Sequence, residues 1–268
     1  MKLVIVDSKN QEKGSVELPS QFEESVRSDL IHRAVVAMQS NRRQPYGSFE
    51  LSGLQHSIDI SKRRRDYKGV YGVGQSRTPR KILSRSGTRM NWVGAFGPQT
   101  VGGRQAHPPK ASKIWFKKIN EKERRKAIRS AIAATVSKEM VQERGHKIPS
   151  KYPVVVDSSL ESLSKTKDVT SALIALGFGD DLERASQINI RAGKGKGRGR
   201  PYSKRKGPLI VIAKLGKFTL AAKNIPGVDV VEVKNLNPEV LAPGSKPGRA
   251  TIWTQDAIEK IAKENLFR

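Results

Sequence analysis

The sequence contains no cysteine and no long hydrophobic run, and these absences exclude several classes of protein. Without cysteine, the chain can form neither a disulfide framework nor a thiolate metal site. No stretch reaches the roughly 18 apolar residues of a membrane-spanning helix. The first residues, MKLVIVDS, meet an acid at Asp7, so we expect a short strand there rather than a signal peptide. We expect a cytoplasmic protein with no membrane partner, although a lack of cysteine is compatible with any compartment.

Acidic residues are also scarce. The 268 residues include 51 Lys and Arg against 25 Asp and Glu, which gives a formal net charge of +26. Residues 67–120 and 184–228 contain no acid at all. A compact chain with this imbalance repels itself unless a polyanion neutralises it. Nucleic acid is the commonest such partner and an anionic membrane surface is second, so nucleic-acid binding is our first hypothesis.

The chain on either side of residues 41–112 has the patterns of an ordinary globular domain. Four short apolar runs, bounded by proline, glycine or charge, predict strands: LVIV (3–6), YPVVVD (152–157), PLIVIA (208–213) and GVDVVEV (227–233). Continuous β-branched runs are typical of a parallel sheet that is covered on both faces. The expected fold class is therefore α/β, with a single globular domain of residues 1–40 and 113–268 and a mainly parallel sheet flanked by helices.

The helices are predicted from capping boxes and from the 3.6-residue period. Ser20 with Glu23 would open the first helix, and Asn120 with Glu123 the second, which would stop near Gly145. Their predicted buried faces are Phe22, Val26, Leu30, Ala34 and Met38 in the first helix and Ile128, Ile132, Val136 and Met140 in the second. Shorter helices are expected at residues 168–176, 218–224 and 255–266.

Residues 41–112 lack the pattern of a folded domain. They contain 14 Lys or Arg, 3 acids, 10 Gly and 5 Pro, and their apolar residues follow neither a period of 2 nor one of 3.6. Such a segment cannot build its own core, and ordering it costs about 1–2 kcal/mol per residue in backbone entropy. We predict an extended arm, inserted in the globular domain, that a binding partner orders.

The composition of the arm favours RNA as that partner. Ten of its 14 basic residues are arginine, which chelates phosphate and stacks on bases, and glycine allows close backbone approach. Scattered aromatic side chains distinguish it from a flexible, solvated tail, which is the alternative. Trp92 and Phe96 could stack on bases or pack inside the arm. The candidate RNA-binding residues here are Arg42, Arg43, Arg63, Arg64, Arg65, Arg77, Arg80, Lys81, Arg85, Arg89, Trp92, Phe96, Arg104, His107 and Lys110.

A second basic stretch, RAGKGKGRGRPYSKRKGP, spans residues 191–208. Its alternating glycines resemble a nucleotide-binding loop, but the Gly-Lys-Ser/Thr of a Walker loop is missing and Pro201 follows instead of a helix. We predict a basic, glycine-rich RNA-binding loop, with an exposed flexible loop as the alternative. Its candidate phosphate-binding residues are Arg191, Lys194, Lys196, Arg198, Arg200, Lys204, Arg205 and Lys206.

Catalysis finds little support in the sequence. The four histidines are scattered, and none has a second histidine or a carboxylate at ligand spacing. Residues 157–162 place an acid and hydroxyls after a strand, where α/β enzymes bind ligands, but a helix N-cap is the better interpretation. Two alternatives to a structural RNA-binding protein remain open: an RNA-modifying or nucleotide-using enzyme, and a DNA-compacting protein. The sequence shows no convergent titratable groups, which an enzyme would require, and no recognition helix, which a DNA-binding protein would require.

Five motifs carry a resemblance to a known family. GPQTVGGRQAHPPK (97–110), ERRKAIRSAIAAT (123–135), INIRAGKGKGRGR (188–200), NIPGVDVVEV (224–233) and LAPGSKPGRATIWTQDAI (241–258) resemble the archaeal and eukaryotic branch of universal large-subunit ribosomal protein four. They occur in the family's order, and with the first helix they cover nearly the whole chain. The sequence ends soon after the last predicted helix, without the long tail of eukaryotic members, so an archaeal-type protein is expected.

The resemblance implies a structural constituent of the large ribosomal subunit that aids subunit assembly, with no catalysis, cofactor or small-molecule substrate. Any structural Mg²⁺ would be bound by the ribosomal RNA itself. Its partners would be large-subunit ribosomal RNA and other large-subunit proteins, including the one that shares the constriction of the nascent-peptide exit tunnel. Residues 44–68 would descend into the RNA, residues 72–89 would approach the tunnel, and residues 91–110 would return. The implied tunnel-tip residues are Gly72, Gly74, Arg77, Arg80, Arg85 and Arg89.

Overall fold

The computed structural model describes residues 1–58, 60–72, 74–87 and 89–268. Asp59, Val73 and Thr88, which fall in the predicted arm, lie outside the described residues. The strands are β1 Lys2–Val6, β2 Glu12–Glu17, β3 Arg80–Ser86, β4 Arg89–Gly94, β5 Val154–Val156, β6 Ile188–Ile190, β7 Tyr202–Lys204, β8 Leu209–Ile212, β9 Asp229–Glu232 and β10 Thr251–Thr254. The helices are α1 Ser28–Asn41, α2 Glu121–Val136, α3 Lys138–Glu143, α4 Thr166–Ala175, α5 Gly179–Ser186, α6 Lys217–Lys223, α7 Pro238–Leu241 and α8 Gln255–Lys263.

The chain divides into two compact units. The main unit comprises Met1–Arg42 and Phe116–Arg268, and the inserted unit comprises Arg43–Trp115. Each has its own secondary structure: the main unit contains a six-stranded sheet with its helices and the β6–β7 hairpin, and the inserted unit contains the β3–β4 hairpin.

The sheet of the main unit has the strand order β2-β1-β5-β10-β8-β9. β1, β5, β10, β8 and β9 pair in parallel, and β2 pairs with β1 in antiparallel fashion at one edge. The predicted mainly parallel α/β sheet is therefore confirmed. The four predicted strands are present, whereas β2 and β10 were not predicted. β10 is buried along its whole length and lies between β5 and β8.

Alternate residues of the central strands enter two cores, one on each side of the sheet. Val154 and Val156 of β5 join the core that contains Val169 and Leu173 of α4. Val155 joins the opposite core, which contains Ile31 of α1 together with side chains of α2 and α8. The alternation follows from the two-residue period of a strand, and it explains why both faces of these strands are apolar.

The first helix begins later than predicted. Ser20 starts a short 3-10 turn, and α1 begins only at Ser28. Phe22 packs edge-on against Trp253, with ring centroids 4.9 Å apart. The backbone N–H of Arg27 donates to the Ser130 hydroxyl over 2.6 Å, which satisfies one donor at the helix start.

The buried face of α1 is shifted as a consequence: it consists of Ile31, Ala34, Val35 and Ala37, whereas Val26 is exposed. α2 begins one residue after Asn120, as predicted, but the Asn120 side chain forms no capping hydrogen bond. Helical structure is interrupted at Ser137 and ends before Gly145, whose φ is +93°. Of the predicted faces of this region, Ile128 and Ile132 are buried.

The inserted unit buries little apolar surface. In its described part, the buried hydrophobic residues are Val70 and Ala95. The unit contains more regular structure than predicted, because β3 and β4 form an antiparallel hairpin with an irregularity between Ile82 and Ser84. The hairpin is held by backbone hydrogen bonds rather than by a hydrophobic core.

Candidate nucleic-acid interface

Two lengths of chain in the inserted unit lie side by side, and glycine permits their approach. The N–H of Ser48 donates to the carbonyl of Pro109 over 3.0 Å. A Cβ atom at Gly47 would meet the backbone nitrogen of Ala111 at 2.5 Å. At Gly53, where φ is +74°, a Cβ atom would meet the nitrogen of Arg104 at 2.6 Å. The close pairing in this unit therefore depends on the absence of side chains at these two positions.

An aromatic cluster joins the two ends of the inserted unit. Tyr46 and Trp115 are stacked, with ring centroids 5.9 Å apart and planes inclined by 17°. The guanidinium carbon of Arg43 lies 3.6 Å from the centroid of Trp115. Arg43, a predicted RNA-binding residue, thus contributes a cation–π contact within the protein.

A tight turn at residues 61–69 presents three of the predicted arginines. The Asp66 carboxylate accepts a hydrogen bond from the Ser61 hydroxyl over 2.7 Å and another from the N–H of Tyr67 over 2.8 Å. These hydrogen bonds, the Ser61 bond foremost, lower the pKa of Asp66. Between them, Arg63, Arg64 and Arg65 are exposed. The exposed Asp66 carboxylate holds the turn through these hydrogen bonds, and the three arginines lie on the surface beside it.

Arginines lie over four aromatic rings along the rest of the inserted unit. The distances from guanidinium carbon to ring centroid are 4.5 Å for Arg77 over Tyr71, 4.9 Å for Arg85 over Tyr67, 5.3 Å for Arg80 over Trp92 and 6.0 Å for Arg104 over Phe96. The indole N–H of Trp92 also donates to Gln75 over 3.1 Å. In this structure Trp92 therefore packs within the unit, one of the two arrangements that the sequence left open. Phe96 is exposed, with a positive φ of 71°.

The second basic stretch forms a hairpin, here called the basic hairpin (residues 188–204). β6 and β7 pair antiparallel, from Ile188 opposite Lys204 to Ile190 opposite Tyr202. A 3-10 turn, Lys194–Arg198, and Gly199 with φ +74° close it. The cations predicted to bind phosphate are all exposed: Arg191, Lys194, Lys196, Arg198, Arg200 and Lys204, with Arg205 and Lys206 directly after the hairpin.

Buried charges fix the base of the basic hairpin. Arg184 of α5 donates to the carbonyl of Lys206 over 2.7 Å and to Asp181 over 2.8 Å, which ties the chain after β7 to the helix before β6. Asp181 is completely buried; it also accepts from the N–H of Lys147 over 3.0 Å and lies 3.1 Å from Nδ1 of His146. Burial alone would raise the pKa of Asp181, but hydrogen bonds from His146 and Arg184 lower it overall.

A second buried arginine supports the base of the basic hairpin. Arg249, only 1% exposed, donates to Asp229 over 2.6 Å, to the carbonyl of Gly207 over 3.1 Å and to that of Val240 over 2.9 Å. Lys206 also binds Asp229, over 2.9 Å. Burial would raise the pKa of Asp229, but the positive charges of Arg249 and Lys206 lower it overall. This network could not be predicted from the sequence because its members are distant in the chain.

Three predicted cations are engaged inside the main unit. Arg42 forms an ion pair with Glu239 at 2.7 Å, and Lys206 binds Asp229. Arg191 donates to the carbonyls of Arg200 over 3.2 Å and Tyr202 over 3.4 Å. Arg191 therefore shapes the basic hairpin in this structure. Among the described residues, the side chains of Lys194, Lys196 and Arg198 in the turn of the hairpin have no partner.

The strand ends hold structural polar contacts. Asp157 was interpreted as a helix N-cap, but it precedes a 3-10 turn without capping it and instead accepts from Lys13 over 2.8 Å. His32 bonds to Ser245 over 2.9 Å.

Across the described ranges, no group of His, Asp and Glu is arranged to hold a metal ion. No helix in the described part of the chain is long and apolar enough to cross a bilayer.

Comparison with known proteins decides the family. The sequence profile of the ribosomal protein L4/L1 family matches residues 16–264. The chain belongs to this family.

Curated relatives agree over the full length of the chain. It is 50% identical, over 268 residues and all of both chains, to the large ribosomal subunit protein uL4 of Nanoarchaeum equitans. It is 46% identical over 264 residues to that of Archaeoglobus fulgidus, covering 98% of this chain and 99% of the relative. It is 42% identical over 266 residues to that of Halobacterium salinarum, covering 98% and 100%. This family member is of the archaeal type, as the resemblance predicted.

Proposed function

We propose that the inserted unit and the basic hairpin are the surfaces through which this protein binds large-subunit ribosomal RNA. As a member of the ribosomal protein L4/L1 family, the chain is a structural constituent of the large ribosomal subunit in the cytoplasm, among ribosomal RNA and other ribosomal proteins, and it is not an enzyme. The finer assignment is that residues 41–112 form an RNA-penetrating arm inserted in a globular domain of residues 1–40 and 113–268.

The observation that supports the proposal is the separation of charge. Carboxylates in the main unit lie beside its arginines and lysines, as Asp181 does for Arg184 and Asp229 does for Arg249. The basic hairpin and its flank contain eight Lys and Arg and no acid, and Lys206 at the end of the flank is paired with Asp229. Exposed cations grouped in this way are the usual means of neutralising phosphates.

Salt dependence of binding tests this proposal. Lys194, Lys196, Arg198 and Arg200 are changed together to alanine, and affinity for a large-subunit ribosomal RNA transcript is measured over a salt series. Each lost phosphate contact should reduce the slope of log affinity against log salt by about 0.7–0.9, so four should reduce it by about 3. The matched control changes four exposed lysines elsewhere in the main unit, Lys165, Lys167, Lys214 and Lys217. Equal slopes for the two variants would refute an electrostatic role for the hairpin.

We further propose that residues 72–89 contribute to the wall of the nascent-peptide exit tunnel, next to the protein that shares its constriction. This tip mixes basic, hydroxyl and apolar residues, and both Ile82 and Leu83 are exposed. Such a mixture suits a wall to which passing peptides must not adhere, whereas the basic hairpin is dense in side chains that donate hydrogen bonds to phosphate.

Deletion of residues 72–89 with a short Gly-Ser closure tests the tip. Loop-closure entropy changes slowly with length, so the junction itself should be tolerated. Large subunits should still incorporate the protein, and their response to stalling peptides or tunnel-binding antibiotics should change. Loss of incorporation, with a normal response in any residual subunits, would identify the tip as an assembly anchor instead.

A further inference from the structure

The basic hairpin has two unlike faces. Residues opposite each other in an antiparallel pair lie on the same face, and successive residues alternate between faces. The pairs Ile188–Lys204 and Ile190–Tyr202 therefore share one face, and the pair Asn189–Ser203 occupies the other. The first face is apolar apart from its lysine, a feature that the composition of this basic stretch does not reveal.

The apolar side chains of this face are open to solvent. Ile188 is 53% exposed, Ile190 is 74% exposed and Tyr202 is 56% exposed. They join neither hydrophobic core of the main unit. Strand propensity favours such residues in a hairpin, but a polar strand former such as threonine would serve equally well if the hairpin only held phosphates. Their exposure together on one face is typical of a surface that a partner covers.

The charge around this face identifies the kind of partner. No acid occurs from residue 184 to residue 228, and cations flank the face along the chain at Arg191, Lys204 and the hairpin turn. An apolar patch on a protein would meet this positive rim unfavourably unless it carried its own acids. Unpaired RNA offers both required features: flat apolar base faces, and phosphates spaced along the chain.

We propose that this face receives unstacked nucleobases of ribosomal RNA, with the Tyr202 ring stacked on one base and Ile188 and Ile190 packed against its neighbours. The inference rests on the proposed function and deepens it. The cations of the turn bind the backbone, and the apolar face binds the bases. The two contributions differ in their response to salt, because stacking releases no counterions.

The test changes Tyr202 and measures affinity for the large-subunit ribosomal RNA transcript over a salt series. Tyr202→Val keeps strand propensity and removes the aromatic ring; Tyr202→Phe keeps the ring. Loss of one base stack should weaken binding about tenfold for Tyr202→Val at every salt concentration with an unchanged slope, and Tyr202→Phe should bind like the wild type. Leu220→Ala, at an apolar side chain of α6 that is 76% exposed, is the control and should have no effect.

Each other result overturns the inference in a different way. Normal RNA binding by Tyr202→Val means that no base stacks there. If that variant is also depleted from large subunits, a ribosomal protein covers the face instead. A slope reduced as in the four-alanine variant means that the hairpin was lost rather than the stack. Failure of the proposed function is recognised separately, because the wild-type protein would then not prefer the ribosomal transcript over an unrelated RNA of equal length.

Discussion

Replacing Asp181 with asparagine tests whether the buried charges at the base of the basic hairpin stabilise the main unit. Asp181 is completely buried, and it accepts from Arg184 over 2.8 Å and from Lys147 over 3.0 Å, with His146 at 3.1 Å. Asparagine keeps the shape but removes the negative charge. One carboxylate oxygen becomes an NH₂ group, which faces other donors.

The expected loss is large because Arg184 would remain, mostly buried, without its counterion. Removing one partner of a buried ion pair costs about 3–5 kcal/mol. Domains of this size lose about 2–4 °C of Tm per kcal/mol, so the main unit should melt about 6–20 °C lower. Asp180→Asn is the matched control: the neighbouring side chain is exposed, and its loss should change stability by no more than about 0.5 kcal/mol.

The assay is thermal unfolding of the full free chain, followed by circular dichroism in high salt to screen its charge. A pH series adds a second arm. The pKa of Asp181 is lowered in the folded state. The carboxylate therefore contributes to the free energy of unfolding above the unfolded pKa of about 3.9, and this contribution is lost as pH falls through the folded pKa. The Tm values of the wild type and of Asp181→Asn should therefore converge in acid. Equal melting of Asp181→Asn and Asp180→Asn at neutral pH would refute this reasoning.

Two further predictions concern the inserted unit. Trypsin should cleave the free protein first within Arg43–Trp115, because few hydrophobic side chains are buried there; initial cleavage in α2 or α8 would contradict this. Gly53→Ala should accelerate that cleavage without changing the Tm of the main unit, since its Cβ atom would lie 2.6 Å from the nitrogen of Arg104. Gly102→Ala has a similar φ of +72° but no atom within 4 Å, so it separates backbone strain from the clash.

The sequence predicted the strands that carry continuous apolar runs. β5, β8 and β9 carry continuous β-branched runs because helices cover both faces of the sheet. β10 escaped prediction because only two of its four residues, TIWT, are apolar, so no continuous apolar run distinguishes it, and it follows a stretch rich in Gly and Pro. The start of α1 was misplaced because the Ser20–Glu23 pattern imitates a capping box, while the contact of Phe22 with Trp253 spans the length of the chain.

The two isolated hairpins could not be predicted from periodicity. In β6 and β7 both faces are exposed, so no alternation of apolar and polar burial distinguishes strand from loop. The same holds for most of β3. Isolated two-stranded hairpins are marginally stable in water, which agrees with a surface that gains stability from a partner. The locations of the cations were predictable from composition, whereas the apolar face beside them can be recognised only from the pairing register of β6 and β7.

The distribution of charge explains how a chain of net charge +26 can fold before it meets RNA. The inserted unit carries 14 Lys and Arg against 3 acids, and residues 188–207 carry eight against none, which together give 19 of the 26 net positive charges. The rest of the main unit retains a net charge of only +7 over 175 residues. Its self-repulsion is therefore modest, and Arg184 and Arg249 have the carboxylate partners Asp181 and Asp229. Repulsion is concentrated where little apolar surface is buried, so neutralisation by phosphate should order the inserted unit and the basic hairpin while leaving the sheet and its two cores unchanged.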